Sequence, residues 1–147
     1  MKSAPRVSVI VPAYNAAAYL PATIQSVRQQ TFQDFEIWVV DDQSTDDTVA
    51  VVQKLMTQDA RIKLVQLSAN QGVANARNVG VAHAQGQYVA FLDSDDMWLP
   101  KKLEVQISFM QEHQADFSYC NYDVVDDHGT QVGQRKVSQT QLTYQEM

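Results

Sequence analysis

The chain has 147 residues, of which 45% are hydrophobic and 19% charged, so one domain with a substantial core is expected. The formal net charge of −6 excludes a broad basic surface, and we expect no nucleic-acid partner. One phosphorylated ligand remains compatible with this charge, because a bound divalent cation can reverse the local sign of a site. Cys120 is the only cysteine, so no disulfide can form within the chain, which is compatible with a cytoplasmic location.

The N-terminal apolar run is short and broken by Pro12, so it lacks the core of a signal peptide. No later stretch approaches the roughly 18 apolar residues of a membrane-spanning helix. The sequence therefore predicts a soluble chain without a transmembrane segment.

Five segments rich in β-branched and aromatic residues predict strands. They are residues 7–11, 35–40, 62–67, 88–92 and 117–122. The runs "VSVIV" and "EIWVV" are almost continuously apolar, as is typical of parallel strands that are covered on both faces.

Apolar residues at helical spacing lie between the strands and predict four helices. The stripes of the first and fourth are Leu20, Ile24 and Val27, and Leu103, Ile107 and Met110. Pro21 fits only in a first turn, Ser44 is predicted as the N-cap of the second helix, and Gly86 as the C′ residue that closes the third. Alternating strands and helices predict an α/β domain with a mostly parallel sheet and right-handed crossovers.

After about residue 123 this alternation fades into a polar tail. The turn signal Asp127-His128-Gly129 predicts two weak strands, one on each side of it.

Polar residues follow three of the predicted strands, where an open α/β sheet binds its ligands. They are "PAYN" (residues 12–15), "DDQSTDDT" (residues 41–48) and "DSDD" (residues 93–96). Because the carboxyl ends of parallel strands meet at one edge of a sheet, we expect these three segments to converge.

The acids of the second segment divide into two pairs. Asp46 and Asp47 are interpreted as first-turn residues of the following helix. Asp41 and Asp42 precede the predicted cap, and a carboxylate held there can accept a hydrogen bond from a base N–H such as uracil or guanine offers.

The "DSDD" turn has two interpretations. Asp93 and Asp95 can place carboxylates around one Mg²⁺ or Mn²⁺, with phosphate oxygens and water as the remaining ligands. Alternatively the turn is a solvated acidic loop, in which Asp96 caps the next helix.

Arg77 also has two interpretations, a surface arginine or a bidentate donor to a phosphate or base among small neighbours in "ANARN". The three histidines have no spacing partner of metal-ligand type and are interpreted as structural. Neither a dinucleotide-binding glycine fingerprint nor a P-loop occurs.

Taken together, these stretches resemble the N-terminal half of the family 2 glycosyltransferases, which have the GT-A fold. The resemblance rests on "VSVIVPAYNAAAYLPATIQSVRQQTFQDFEIWVVDDQSTDDT" and "NQGVANARNVGVAHAQGQYVAFLDSDDMWLP", in that order, and covers about residues 6–122. It implies a Rossmann-like three-layer αβα sandwich. Residues 1–123 would be the donor-binding core, and residues 124–147 the start of an incomplete acceptor-side region.

The resemblance also implies roles for individual residues. The nucleotide-binding set would be Pro12, Ala13, Tyr14, Asn15, Asp41, Asp42, Arg77 and Asp93. Asp95 would be the metal ligand that bridges to the diphosphate, with Asp93 beside it.

The implied reaction is the metal-dependent, inverting transfer of a sugar from a nucleotide diphosphate, with UDP favoured and Mn²⁺ or Mg²⁺ as the cofactor. The acceptor would be a saccharide or a lipid-linked saccharide, and the setting polysaccharide or cell-surface glycan synthesis at the cytoplasmic face of the membrane. An inverting transfer needs a general base. No residue here matches the family's later acidic motif, so the base is expected beyond Met147 and the chain is expected to be a donor half.

The main alternative is a non-catalytic nucleotide-binding or receiver-like signalling module. A receiver-like domain needs a lysine at the end of a late strand, and the predicted strand at residues 117–122 has none there. A nucleotidyltransferase is a second alternative, but "PAYN" stands where its glycine-rich loop would be.

Overall fold

A computed structural model describes residues 4–126 and 128–137. The helices and strands are, in chain order, β1 (Val7–Ala13), α1 (Leu20–Arg28), β2 (Phe35–Asp41), α2 (Thr48–Gln58), β3 (Ile62–Gln66), α3 (Val73–His83), β4 (Tyr88–Phe91), α4 (Lys102–His113), β5 (Tyr122–Val125) and β6 (Gln131–Arg135). The chain divides into two compact units, Met1–Val105 and Gln106–Met147.

The first unit contains a four-stranded parallel sheet with the strand order β3-β2-β1-β4. In its register Val9 of β1 lies between Ile37 of β2 and Ala90 of β4. The predicted α/β fold with a parallel central sheet is confirmed.

Both faces of the two central strands are covered. Every residue of β1 is buried, as are all but one of β2. Helix α3 packs on β1 and β2 so closely that a Cβ at Gly80 would lie 2.3 Å from the Ile10 side chain. Helix α2 packs on β2, β3 and α1, and the reversal of strand order after β3 places α3 on the other face. The nearly unbroken apolar runs in these strands follow from this two-sided burial.

Strand β4 is the short edge of the sheet. In the described part of the chain it pairs with β1 alone, and it leaves Val89 and Phe91 about half exposed. Its four residues lead directly into the acidic turn that begins at Asp93.

Helices α1 and α4 confirm the predicted stripes, and Pro21 lies in the first turn of α1. Two predicted helix ends are wrong. Helix α2 begins at Thr48 with Asp47 at the N-cap, so Asp46 and Asp47 precede the first turn in which they were predicted. The Ser44 hydroxyl does not cap the helix and instead accepts a hydrogen bond from the backbone N–H of Asn15.

The predicted role of Gly86 is also wrong. Helix α3 ends earlier, with Ala84 at its C-cap, and Gly86 does not have a left-handed backbone. Its N–H donates to the Ser8 hydroxyl, and a Cβ there would lie 2.6 Å from the Ser8 backbone nitrogen. The glycine is therefore required by close packing against β1 and does not act as a helix terminator.

The predicted fifth strand at residues 117–122 is wrong as well. Only Tyr122 of that segment lies in a strand, and Phe117 and Tyr119 are exposed. Strands β5 and β6 form an antiparallel hairpin on either side of the predicted turn, where Gly129 has φ +78°. The two weak strands are thus confirmed, while Asp127 in the turn lies outside the described residues.

Within residues 4–126 and 128–137, no helix is both long and apolar enough to cross a membrane.

Candidate functional site

A cavity of about 230 Å³ opens at the carboxyl ends of the sheet, where β1, β2 and β4 meet. Its walls come from all three segments that were expected to converge and from the start of α3. The lining residues are Pro12, Ala13, Tyr14, Asp42, Val73, Ala76, Asp93, Ser94 and Asp95.

The floor and one side come from the end of β1. Ala13 is buried, whereas the Tyr14 side chain is 51% exposed and gives the cavity an accessible aromatic ring. Asn15 does not line the cavity. It adopts φ +50°, and its side-chain oxygen accepts hydrogen bonds from the backbone N–H groups of Thr45 and Asp46 at 2.8 and 3.3 Å. Asn15 thereby fixes the first loop against the second.

Asp42 lines the cavity with a buried carboxylate that already has two protein partners. Its two oxygens accept the N–H groups of Gln71 and Gly72, each at 2.8 Å. These bonds hold the entry of α3, where Gly72 has the left-handed φ of +87°. Each carboxylate oxygen can accept a second hydrogen bond, so Asp42 keeps the capacity to contact a ligand.

The structure separates Asp41 from its neighbour. Asp41 is also buried, but its carboxylate accepts the backbone N–H of Ser44 at 3.3 Å and does not line the cavity. Asp46 similarly supports the loop, accepting both the hydroxyl and the N–H of Thr48. The Thr48 hydroxyl is the main cause that holds the pKa of Asp46 below its usual range.

Arg77 of α3 does not line the cavity, but it donates to one carboxylate oxygen of the lining residue Asp93 at 2.5 Å. Both side chains are partly exposed, by 36% and 49%. This ion pair partly neutralises the Asp93 carboxylate and holds a guanidinium next to one lining residue of the cavity.

Asp95 and Asp96 have no such partner within the described ranges. Partial exclusion of water raises the pKa of Asp96, even though the residue is exposed overall, and the like charges of Asp95 and Asp93 add to this increase. No group of three or more His, Cys, Asp or Glu side chains in the described chain is arranged to hold a metal ion. The exposed carboxylates of Asp93 and Asp95 are hard oxygen ligands that suit Mg²⁺ or Mn²⁺ if a phosphorylated ligand completes the coordination.

Three lining residues were not identified from the sequence: Val73, Ala76 and Ser94. Ala76 immediately precedes Arg77, so the small side chains of "ANARN" were a usable signal. Val73 and Ser94 carry no chemical signature, and only the fold brings them to the cavity.

Residues 8–146 match the family described as glycosyl transferase family 2. The chain belongs to this family.

Among curated members, TuaG of Bacillus subtilis (strain 168), named for teichuronic acid biosynthesis, is 44% identical over 140 residues. That match covers 95% of this chain and 56% of TuaG. A β-1,3-glucosyltransferase of Escherichia coli, WfgD, named for UDP-Glc and α-D-GlcNAc-diphosphoundecaprenol, is 41% identical over 141 residues, covering 96% of this chain and 54% of WfgD. The chain thus spans about half the length of these relatives.

Solved structures of glycosyltransferases share the fold. Staphylococcus aureus TarS 1–349 in complex with UDP matches 74% of this chain and 33% of its own, with 38% identity and a TM-score of 0.69. The mannosyltransferase PcManGT of Pyrobaculum calidifontis, in complex with GDP-Man and Mn²⁺, matches 84% of this chain and 36% of its own, with 28% identity and a TM-score of 0.70. The predicted GT-A fold is therefore confirmed, and the receiver-like alternative is not supported.

Proposed function

We propose that this chain binds the nucleotide-sugar donor of an inverting glycosyltransferase that acts in cell-surface polysaccharide synthesis. One observation carries the proposal. A single cavity gathers an exposed aromatic ring, a buried carboxylate and an exposed acidic turn at the carboxyl ends of β1, β2 and β4. A nucleoside diphosphate has three corresponding parts, which are a base, a ribose and a charged diphosphate.

In this proposal Tyr14 packs against the base and Asp42 accepts its ring N–H. Asp93 faces the ribose and Arg77 lies near the diphosphate. The two assignments are compatible because the ion pair holds the two side chains next to each other. Asn15 and Asp41 contribute indirectly, because their hydrogen bonds hold the loops in place.

Charge explains why a cation is needed. The turn carries three carboxylates within four residues, and only Asp93 has a cationic partner in the described chain. A diphosphate would be repelled from this turn without a cation between them. Asp95 is the better metal ligand, since Arg77 already occupies one oxygen of Asp93. When bound, the cation supplies Lewis-acid stabilisation of the charge that develops on the leaving diphosphate.

The proposed transfer forms a bond between the acceptor oxygen and the anomeric carbon as the anomeric C–O bond to the diphosphate breaks. The acceptor proton passes to a general base. We assign none of the described carboxylates to that role, because those at the cavity serve the nucleotide and the metal. Residues 1–123 would form the donor-binding portion and residues 124–147 the start of the acceptor side.

UDP is the favoured nucleotide and a lipid-linked saccharide at the cytoplasmic face of the membrane the favoured acceptor. UDP is bound in the TarS structure, and WfgD is named for a UDP-sugar and a diphosphoundecaprenol acceptor. PcManGT is in complex with GDP-Man, so a guanine nucleotide occurs in a related structure and GDP is the necessary comparison.

Calorimetric titration of UDP, GDP and dTDP, each with and without Mn²⁺, tests the proposal. We expect Mn²⁺ to tighten UDP binding by about tenfold or more, and Asp95→Ala to remove this gain. Asp34→Ala is the matched control, because it removes an exposed aspartate at the other end of the sheet. If UDP binds equally well without Mn²⁺ and Asp95→Ala does not change its affinity, Asp95 is not a metal ligand. If none of the three nucleotides binds, the proposed donor-binding function is wrong.

A further inference from the structure

Polar side chains of α1 and of the residues just after it hold the loop that contains the acidic turn. Thr23 and Ser26 lie three positions apart on one face of α1, Gln30 follows the end of the helix, and all three are buried. Buried polar groups are costly unless they are hydrogen-bonded. Each of these side chains has its partner in the segment that follows β4.

The Thr23 hydroxyl donates to the backbone carbonyl of Ser94 at 2.8 Å. Its contact with the Tyr19 carbonyl, within its own helix, is longer at 3.4 Å. The bond between the two segments is therefore the principal one. Ser94 stands between Asp93 and Asp95, so this hydroxyl is attached to the backbone at the centre of the proposed metal- and ribose-binding pair.

The other two side chains continue the attachment along the loop. Ser26 accepts the N–H of Trp98 at 3.1 Å, and Gln30 donates to the carbonyl of Leu99 at 2.8 Å. The side-chain oxygen of Gln30 also accepts the N–H of Leu103, at 3.0 Å. The loop is thus fixed at several points from Ser94 to the beginning of α4.

We propose that Thr23 is a positioning residue, whose buried hydroxyl holds the turn so that Asp93 and Asp95 can bind metal and nucleotide together. The inference rests on the proposed function. Its physical logic is that three neighbouring carboxylates repel one another and would otherwise spread the turn apart. Arg77 also restrains the turn through Asp93, but an ion pair of this kind partly neutralises a carboxylate that a cation needs. A neutral hydroxyl bound to the backbone restrains the turn and leaves the carboxylate charges intact.

Thr23→Val tests this directly, because it keeps the shape of the side chain and removes the hydroxyl. We expect the Mn²⁺ concentration needed for half-maximal UDP binding to rise by about tenfold. We also expect faster hydrogen exchange at the Asp96 amide, which closes the turn by donating to the Asp93 carbonyl at 3.1 Å.

Two controls separate positioning from general stability. Thr23→Ser retains the hydroxyl, so the Mn²⁺ concentration for half-maximal UDP binding should stay within about twofold of that of the unsubstituted chain. Thr57→Val makes the same chemical change at an exposed helix hydroxyl, which bonds only to Lys54 of its own helix, and should change neither readout. Ser26→Ala removes a second attachment of the loop and should weaken metal-dependent binding by a smaller factor, about threefold. It decides the question if Thr23→Val does not fold.

The inference is overturned if Thr23→Val folds but changes neither the hydrogen exchange of the Asp96 amide nor the Mn²⁺ dependence of UDP binding. Equal effects from Thr23→Val and Thr57→Val would also overturn it, since a general loss of stability would then explain both. Absence of metal-dependent UDP binding in the unsubstituted chain overturns the proposed function instead. The exchange measurement needs no nucleotide and still decides whether Thr23 holds the turn.

Discussion

Carboxylates lie at both ends of the parallel sheet, but hydrogen-bond donors surround Glu36 at the amino end, whereas Asp96 at the carboxyl end lies beside other acids. At the amino end, the buried carboxylate of Glu36 accepts hydrogen bonds from Ser8, Lys63 and the Gln85 amide, at 2.6 to 2.9 Å. Burial raises the pKa of Glu36, yet these donors outweigh it and hold the pKa below its usual range. At the carboxyl end, Asp96 is exposed but has a raised pKa, because nearby protein excludes water and its neighbours are also acids.

The difference shows that exposure alone does not decide how a carboxylate behaves. The donors around Glu36 are satisfied within the protein, so that end of the sheet stabilises the fold. The acids of residues 93–96 have few protein donors in the described chain, and their charge remains available to a ligand. Four predictions test this division of roles.

The largest effect is expected at Glu36. Glu36→Ala leaves the Ser8 hydroxyl, Lys63 and a backbone amide without their acceptor, and should lower the free energy of unfolding by about 3 kcal/mol. Urea denaturation at neutral pH measures this, with the exposed Asp34→Ala as a near-neutral control. A loss below about 1 kcal/mol would contradict the structural role of Glu36.

Gly86→Ala tests the packing at the same end of the sheet. The new Cβ would lie 2.6 Å from the Ser8 nitrogen and 2.7 Å from the Val7 carbonyl carbon, both backbone atoms. We expect a loss of about 2 kcal/mol in thermal or urea unfolding, because backbone cannot move aside as a side chain can. Gly133→Ala is the control, since its Cβ would meet Val124 at an ordinary 3.7 Å. Equal stability of the two variants would show that β1 can shift.

Acid should selectively weaken the amino end. Hydrogen bonds from Arg61 lower the pKa of Asp59 to about 2, against partial burial, with Arg28 adding a further attraction. Because the folded pKa lies below the unfolded value of 3.8, this stabilisation is complete above pH 4 and disappears as the pH falls towards 2. After allowance for solvent screening it amounts to about 1 kcal/mol. Asp59→Asn should lose that part of the pH dependence, and an unchanged acid profile would contradict the assignment.

The smallest effect should have the opposite sign. Asp95→Asn removes one of three neighbouring like charges, and we expect it to raise the midpoint of thermal unfolding by about one or two degrees at low salt. The gain should vanish at about 1 M salt, where charges are screened. The same variant should lose metal-dependent UDP binding. A destabilised Asp95→Asn protein would mean that this carboxylate supports the fold.

The sequence predicted the sheet well because its strands are buried on both faces, and β1 and β2 therefore have nearly unbroken apolar runs. It failed at residues 117–122, where an aromatic-rich segment has strand propensity but exposes Phe117 and Tyr119. Propensity reports how a side chain would fit a covered, pleated surface, whereas both of these side chains are exposed. The prediction of Ser44 as an N-cap was wrong for a related reason. Its hydroxyl makes a long-range hydrogen bond with Asn15 and no local helix cap.

The location of the candidate site followed from topology alone, because parallel strands bring their carboxyl ends to one edge. The finer assignments did not follow. No spacing rule indicates that Asp42 already accepts two amides of the α3 entry, or that Thr23 reaches Ser94, 71 positions along the chain. Such contacts depend on the exact packing of α1 and α3 against the sheet.

The strand order also has a consequence for how the molecule is made. Strand β4 pairs with β1, so Tyr88 lies beside Val7 although the two are far apart in the sequence. Contacts between residues so distant in sequence form slowly during folding. During synthesis the part of the cavity wall formed by Tyr14 and Asp42 leaves the ribosome well before the acidic turn. The growing chain therefore presents an uncovered edge of β1 until residues 88–91 arrive, and this interval is when a chaperone or a wrong strand would compete for it.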